Sequence, residues 1–172
     1  MNEAVHVVCP VWRALNRVPS SRLAAKPASF RCHAILFAVE PMTLDASTFD
    51  DHIARDDLPV LSDFWETWCA PCRSMTPEFE RAAKHLEPTC RLGKVDTEVQ
   101  SDFAARFSIR SVPTLILCRG GREIARRSGA LRAEQIERWS MSVWSSAMVC
   151  VLSSIFRLDV DFGLERLSWR LS

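Results

Sequence analysis

An apolar run from Leu58 to Trp65, carrying Val60, Leu61 and Phe64, is separated by three residues from Cys69-Ala70-Pro71-Cys72. Such a run reads as a buried strand. Downstream of it, Met75, Phe79, Ala82, Ala83 and Leu86 recur at helical spacing, so a helix runs from Cys72, with a kink expected at the internal Pro77. A strand that feeds a cysteine pair at a helix start is a narrow constraint on fold and chemistry alike.

The surrounding pattern from residue 42 to 139 is regular. Ser47-Thr48-Phe49-Asp50 resembles a capping box opening a short helix towards Asp56. Arg91 to Val95 reads as a strand, Glu98 to Phe107 as a helix and Thr114 to Cys118 as a strand. Arg119-Gly120-Gly121-Arg122 signals a hairpin into a strand from Glu123 to Ser128, and Leu131 to Trp139 closes the region as a helix. This order gives an α/β fold, a central mixed sheet flanked by helices. Residues 1–41 form an arm rich in Arg, Ser and Pro, where no strand or helix period persists. Residues 140–172 form a C-terminal extension. Its uncharged stretch between Arg138 and Arg157 is short and studded with serines, so a packed or poorly ordered helix is expected rather than a membrane anchor.

The 172 residues suit one domain with appendages, and the net charge of +1 argues against a nucleic-acid-binding tail. Seven cysteines, odd in number and unevenly spaced, do not make a disulfide framework. The N-terminus shows no secretory signal, so the reducing cytoplasm is the expected compartment. Zinc at Cys69 and Cys72 would need a second pair of similar spacing, and Cys90, Cys118 and Cys150 stand alone. A redox pair needs only the strand before and the helix after. Helix N-terminal N–H groups and the dipole favour a thiolate on Cys69, the expected exposed nucleophile. Cys72, one turn in, is expected to be shielded and to resolve the mixed disulfide. Pro71 fits the first turn without removing a needed donor. Asp63, a carboxylate within the apolar strand, reads as a buried base with a raised pKa that serves Cys72, with Lys94 as its charge partner.

Asp63-Phe64-Trp65, Trp68-Cys69-Ala70-Pro71-Cys72, Lys94-Val95-Asp96, Ser111-Val112-Pro113-Thr114 and Ser128-Gly129-Ala130 together resemble thioredoxin over residues 42–139. Thioredoxin is itself the standard example of a lowered thiol pKa and a reducing potential in a Cys-x-x-Cys motif. The resemblance implies the thioredoxin fold and a cis Val112–Pro113 bond beside the cysteines. It also implies a substrate surface of Trp68, Pro71, Val112, Pro113 and Gly129, with Trp65 packed behind the pair. Ala70 stands where the family usually has Gly, a change expected to retune the site and retain activity. In the arm, Val8-Cys9-Pro10 and Arg31-Cys32-His33 resemble the thioredoxin 2 type, whose N-terminal zinc ribbon uses two cysteine pairs. Trp12 and Ser29 occupy the other two positions, so Cys9 and Cys32 read as remnant ligands and zinc is not expected.

The resemblance thus implies a protein-disulfide reductase acting through Cys69 and Cys72, regenerated by thioredoxin reductase. No bound cofactor is expected, nor a nucleic-acid or membrane partner, and a monomer is expected. Two rivals stand beside this reading: a more oxidising, isomerase-like exchange catalyst, and a catalytically drifted interaction module. Cys90, Cys118 and Cys150 are expected to be small core or surface residues rather than redox centres.

Overall fold

The computed structural model describes residues 3–156, with side chains as far as Trp144; the side chain of Cys150 and residues 1–2 and 157–172 lie outside the described set. Two strands, β1 (Ala4–Val8) and β2 (Leu15–Pro19), pair antiparallel, and a 3₁₀ turn follows over Ser20–Ala25. Next come β3 (Met42–Thr43), α1 (Ala46–Arg55), β4 (Val60–Trp65), α2 (Ala70–Leu86) and β5 (Arg91–Asp96). The chain continues through α3 (Ser101–Arg106), β6 (Thr114–Arg119), β7 (Arg122–Ser128) and α4 (Ala133–Phe156).

The main sheet has the order β3-β5-β4-β6-β7. Strand β4 runs parallel to β5 and antiparallel to β6, so it is central to a mixed sheet. Period-two alternation then sorts its side chains between two cores. Leu61 faces Met75, Phe79, Ala82 and Leu86 of α2 and Ile136 of α4. Val60 and Phe64 face Phe49 and Ile53 of α1 and Phe103 of α3. On that second side Phe49 meets Phe64, Phe103 and Phe107 edge-on at ring separations of 4.9–6.1 Å, geometries that add to simple area burial. Gly120 and Gly121 take positive φ of 57° and 76°, as a tight hairpin between β6 and β7 requires.

Several boundaries differ from the sequence expectation, three of them for a local reason or by a whole segment. Helix α1 is capped by Asp45, whose side chain accepts from Thr48 N–H while Thr48 Oγ1 accepts from Asp45 N–H, so the box lies earlier than Ser47. Helix α3 begins at Ser101 rather than Glu98, because the Asp96 carboxylate takes the N–H groups of Glu98 and Val99 into a turn. Helix α4 does not stop at Trp139 but runs on to Phe156. No helix among the described residues is long and apolar enough to cross a membrane.

The larger correction is in the arm, which is folded over residues 3–41. Val7, Cys9, Val18, Leu36 and Phe37 make a small core that reaches Leu58 of the main body. The sequence hid this because its strands are short and its apolar positions come from segments far apart in the chain. Backbone groups then dock it. Val8 N–H donates to Asp56 Oδ1 at 2.6 Å, and Asp57 N–H donates to His6 O. Arg91 is 0% exposed. Its guanidinium donates to Val8 O at 3.2 Å and lies 3.6 Å from Asp56 and 3.9 Å from Glu87. Glu87 Oε2 accepts from Val39 N–H, and His52 Nδ1 sits 2.7 Å from Asp56 Oδ2.

Removing one partner from such a buried set leaves uncompensated charge, at a typical cost of about 3–5 kcal/mol. Arg91→Leu is therefore expected to destabilise the chain by that amount in urea titration and to speed proteolysis of residues 1–41; unchanged stability would show that Arg91 does not tie the two parts together.

Candidate active site

Cys69 is the N-cap of α2, and its Sγ accepts from Cys72 N–H at 3.1 Å. Pro71 occupies the first turn, where its missing N–H costs nothing. Cys69 and Cys72 are joined as a disulfide, with Cα atoms 5.2 Å apart. The helix begins at Ala70, so the whole motif belongs to the cap and the first turn, and Pro77 is accommodated within a continuous α2. Ala70 is solvent-exposed, so the methyl group in place of hydrogen meets no packed neighbour on its outer side.

Cys72 is 0% exposed. Cys69 is 3% exposed, less open than expected of the attacking cysteine. The reason is local: its sulfur is tied to Cys72 and lies 3.6 Å from Val112 O. Trp68, by contrast, is 67% exposed. The Val112–Pro113 bond is cis, Pro113 is buried and Val112 is half-buried. Gly129 has φ of 97° and donates its N–H to Pro113 O at 2.9 Å, and a Cβ there would meet nothing within 4 Å. An open groove of about 600 Å³ starts at Trp68 and Val112 and continues past Glu66, Thr97, Ser101 and Arg110.

Asp63 lies two residues after Leu61 and therefore points to the α2 side of the sheet. It is 0% exposed, and neither carboxylate oxygen has a hydrogen-bond partner. Burial pushes its pKa up to about 7, against an opposing pull from Lys94. Lys94 is the register partner of Asp63 on β5. Its ammonium, however, donates to Thr76 Oγ1 at 3.0 Å and lies 4.7 Å from the Trp65 ring centroid. Thr76 Oγ1 in turn donates to Cys72 O at 3.2 Å. Lys94 thus acts on Asp63 through space, and Trp65 serves as its apolar platform. Thr76 was missed from sequence; its place one turn after Cys72 was the available signal.

The remaining cysteines differ sharply from this pair. Cys90 and Cys118 are buried, and burial pushes both thiols up to about 12. Cys9 and Cys32 come together, with sulfurs 3.5 Å apart. They supply two of the four ligands a structural zinc requires, and among the described residues no group of three or more His, Cys, Asp or Glu side chains could hold a metal. The residues present therefore do not fit a zinc ribbon.

A central strand leading to a redox cysteine pair, with the first sulfur capping a helix and a proline loop across from it, defines a thioredoxin-fold disulfide-exchange protein. Known proteins place it further. The thioredoxin family model matches residues 40–142. Thioredoxin C-3 of Corynebacterium nephridii is 42% identical over 133 residues, spanning 77% of this chain and 91% of that protein. The thioredoxin of Rickettsia bellii is 33% identical over 92 residues, spanning 54% of this chain and 88% of its own length. A mutant thioredoxin from Halobacterium salinarum NRC-1 superposes with a TM-score of 0.56 at 26% identity, over 61% of this chain and 91% of that one. The chain belongs to the thioredoxin family, and with it comes thiol–disulfide oxidoreductase chemistry.

The raised pKa of Asp63 has a defined sign. The unfolded carboxyl ionises near 3.8, whereas the folded one holds its proton to about 7, so stability falls between those values as pH rises. The full penalty, roughly 4 kcal/mol, is present above pH 7 and absent below pH 4. Asp63→Asn should accordingly stabilise the chain in urea titration at pH 8 and change little at pH 4. Equal effects at both pH values would contradict a buried carboxyl with a raised pKa.

Proposed function

We propose that this chain reduces protein disulfides, with Cys69 attacking and Cys72 resolving. The observation that carries this reading is the N-cap position of the Cys69 sulfur, where it accepts the Cys72 N–H. That donor and the helix dipole stabilise a thiolate in the reduced form. Cys69 S⁻ attacks one sulfur of a target disulfide, forming a mixed disulfide and releasing the other target sulfur as a thiolate. Cys72 then loses its proton and attacks Cys69 Sγ. The Cys69–Cys72 bond forms, and the second target sulfur leaves and takes up a proton.

Asp63 is the proton carrier for Cys72 in this reading. A carboxyl titrating near 7 accepts and returns a proton at neutral pH, and its place on the α2 side of β4 supports the role. Lys94, held by Thr76, offsets the charge that Asp63 gains. Trp68, Pro71, Val112, Pro113 and Gly129 form the substrate surface, on which an extended segment pairs with the Val112 backbone. The dithiol is restored by thioredoxin reductase. Buried, unbonded Cys90 and Cys118 support work in a reducing compartment, the cytoplasm. The paired turns around Cys9 and Cys32 support descent from the thioredoxin 2 type. Three parts follow: residues 1–41 as a ribbon-like arm, 42–139 as the catalytic domain and 140–172 as an extension.

In insulin reduction coupled to thioredoxin reductase and NADPH, the full chain should precipitate insulin and Cys69→Ser should fall to the uncatalysed rate. Equal rates for the two proteins would sink the reductase reading.

A further inference from the structure

The arm contains two turns of one design. In the first, Cys9 N–H donates to Ala14 O and Arg13 N–H to Cys9 O; in the second, Ser29 N–H donates to Ala34 O and His33 N–H to Ser29 O. Arg13 and His33, at matching places, both have left-handed φ, 53° and 58°. The first turn keeps a cysteine at its start and the second keeps one near its end. Because the turns face each other, those two sulfurs end 3.5 Å apart. Asn16 spans the turns: its Nδ2 donates to Val7 O and Ala14 O, and its Oδ1 accepts from Phe30 N–H. The Arg31 guanidinium stacks 4.9 Å from the Trp12 ring centroid, bridging the turns from outside.

We propose that Cys9 and Cys32 are a second thiol pair, separate from Cys69 and Cys72, which a small disulfide such as glutathione disulfide oxidises to a bond cross-linking the two turns. Its chemistry balances without a metal. Cys32, the half-buried member, attacks the glutathione disulfide as a thiolate and releases one glutathione thiolate. Cys9 then attacks Cys32 Sγ, the Cys9–Cys32 bond forms and the second glutathione leaves. Two thiol protons pass to the two glutathione thiolates, and two thiols are oxidised as one disulfide is reduced. Cys9 is placed for its step, with its sulfur 3.5 Å from that of Cys32. Trp12 N–H lies 3.4 Å from the Cys9 sulfur. Cys9 is completely buried, so the sulfur it can meet is that of Cys32, and the bond forms within the arm's own fold. The bond closes the loop between residues 9 and 32 and holds the turns together where the two remaining ligands cannot hold zinc.

The test uses the full reduced chain, equilibrated with excess glutathione disulfide, quenched in acid, alkylated after unfolding and mapped by peptide mass spectrometry. A linked Cys9–Cys32 peptide should form, with Cys90 and Cys118 alkylated. The same linkage should form in Cys69→Ser/Cys72→Ser, which separates this result from any failure of the reductase reading. Trypsin cleavage of the native chain within residues 13–31 should slow roughly tenfold or more on oxidation. The proposal is overturned if both thiols stay free while Cys69–Cys72 is fully oxidised. It is equally overturned by a glutathione adduct that persists on Cys32, by linkage between two copies or by stoichiometric zinc in the purified chain.

Discussion

Everything at the active site depends on β4 lying between β5 and β6 with both faces covered. A strand so placed has no solvent side, so each of its residues enters one core or the other. Leu61 and Asp63 fall on the α2 side, and Val60 and Phe64 on the α1 side. Asp63 therefore owes its raised pKa to its position in the strand before any particular neighbour acts. The same strand aims the chain at Cys69, so one element positions the cysteine pair and desolvates the carboxyl. A one-residue slip of β4 would send the carboxyl to the phenylalanine side and leave α2 without it.

The arm depends on a different physical device. Its core is too small to offset the entropy of ordering some forty residues alone. Buried Arg91 bridges Val8 O, Asp56 and Glu87, while Asp56 also accepts from Val8 N–H and contacts His52. Each charge is expensive to bury by itself; together they offset one another and engage the edge of β1, although Arg91 Nε itself has no hydrogen-bond partner. Glu87 keeps a raised pKa because burial outweighs the help from Arg91 and the Val39 N–H. The price of this clamp falls on the main body, which accepts polar groups at the edge of its core.

What could be read from sequence was whatever is local. The β4–α2 junction, the Gly120-Gly121 hairpin and the strand at Thr114 each carry their signal within about ten residues. The α1 cap was displaced because Asp45, Ser47 and Thr48 all suit capping and only geometry chooses among them. The arm escaped because β1 and β2 are five residues each and their core partners, Leu36, Phe37 and Leu58, come from elsewhere. Asp63 and Lys94 were readable as residues, whereas Thr76 as the holder of the ammonium was not. That contact joins strand and helix across a gap which no periodicity encodes.

The two cysteine pairs show how setting decides chemistry when the groups are alike. Each has one sulfur beside a backbone N–H: Cys72 N–H for Cys69, and Trp12 N–H for Cys9. Cys69 caps a helix of seventeen residues, so the aligned peptide dipoles of α2 add to its single donor, and Trp68 and the groove open beside it. Cys9 sits in a turn with no helix behind it and is sealed by Val7, Val18 and Leu36. The first pair thus lies beside an open groove, whereas the Cys9 end of the second is packed into the core of the arm. Thiolate stabilisation alone does not make an enzyme of a cysteine pair; a surface on which the partner chain can lie is the other half of the requirement.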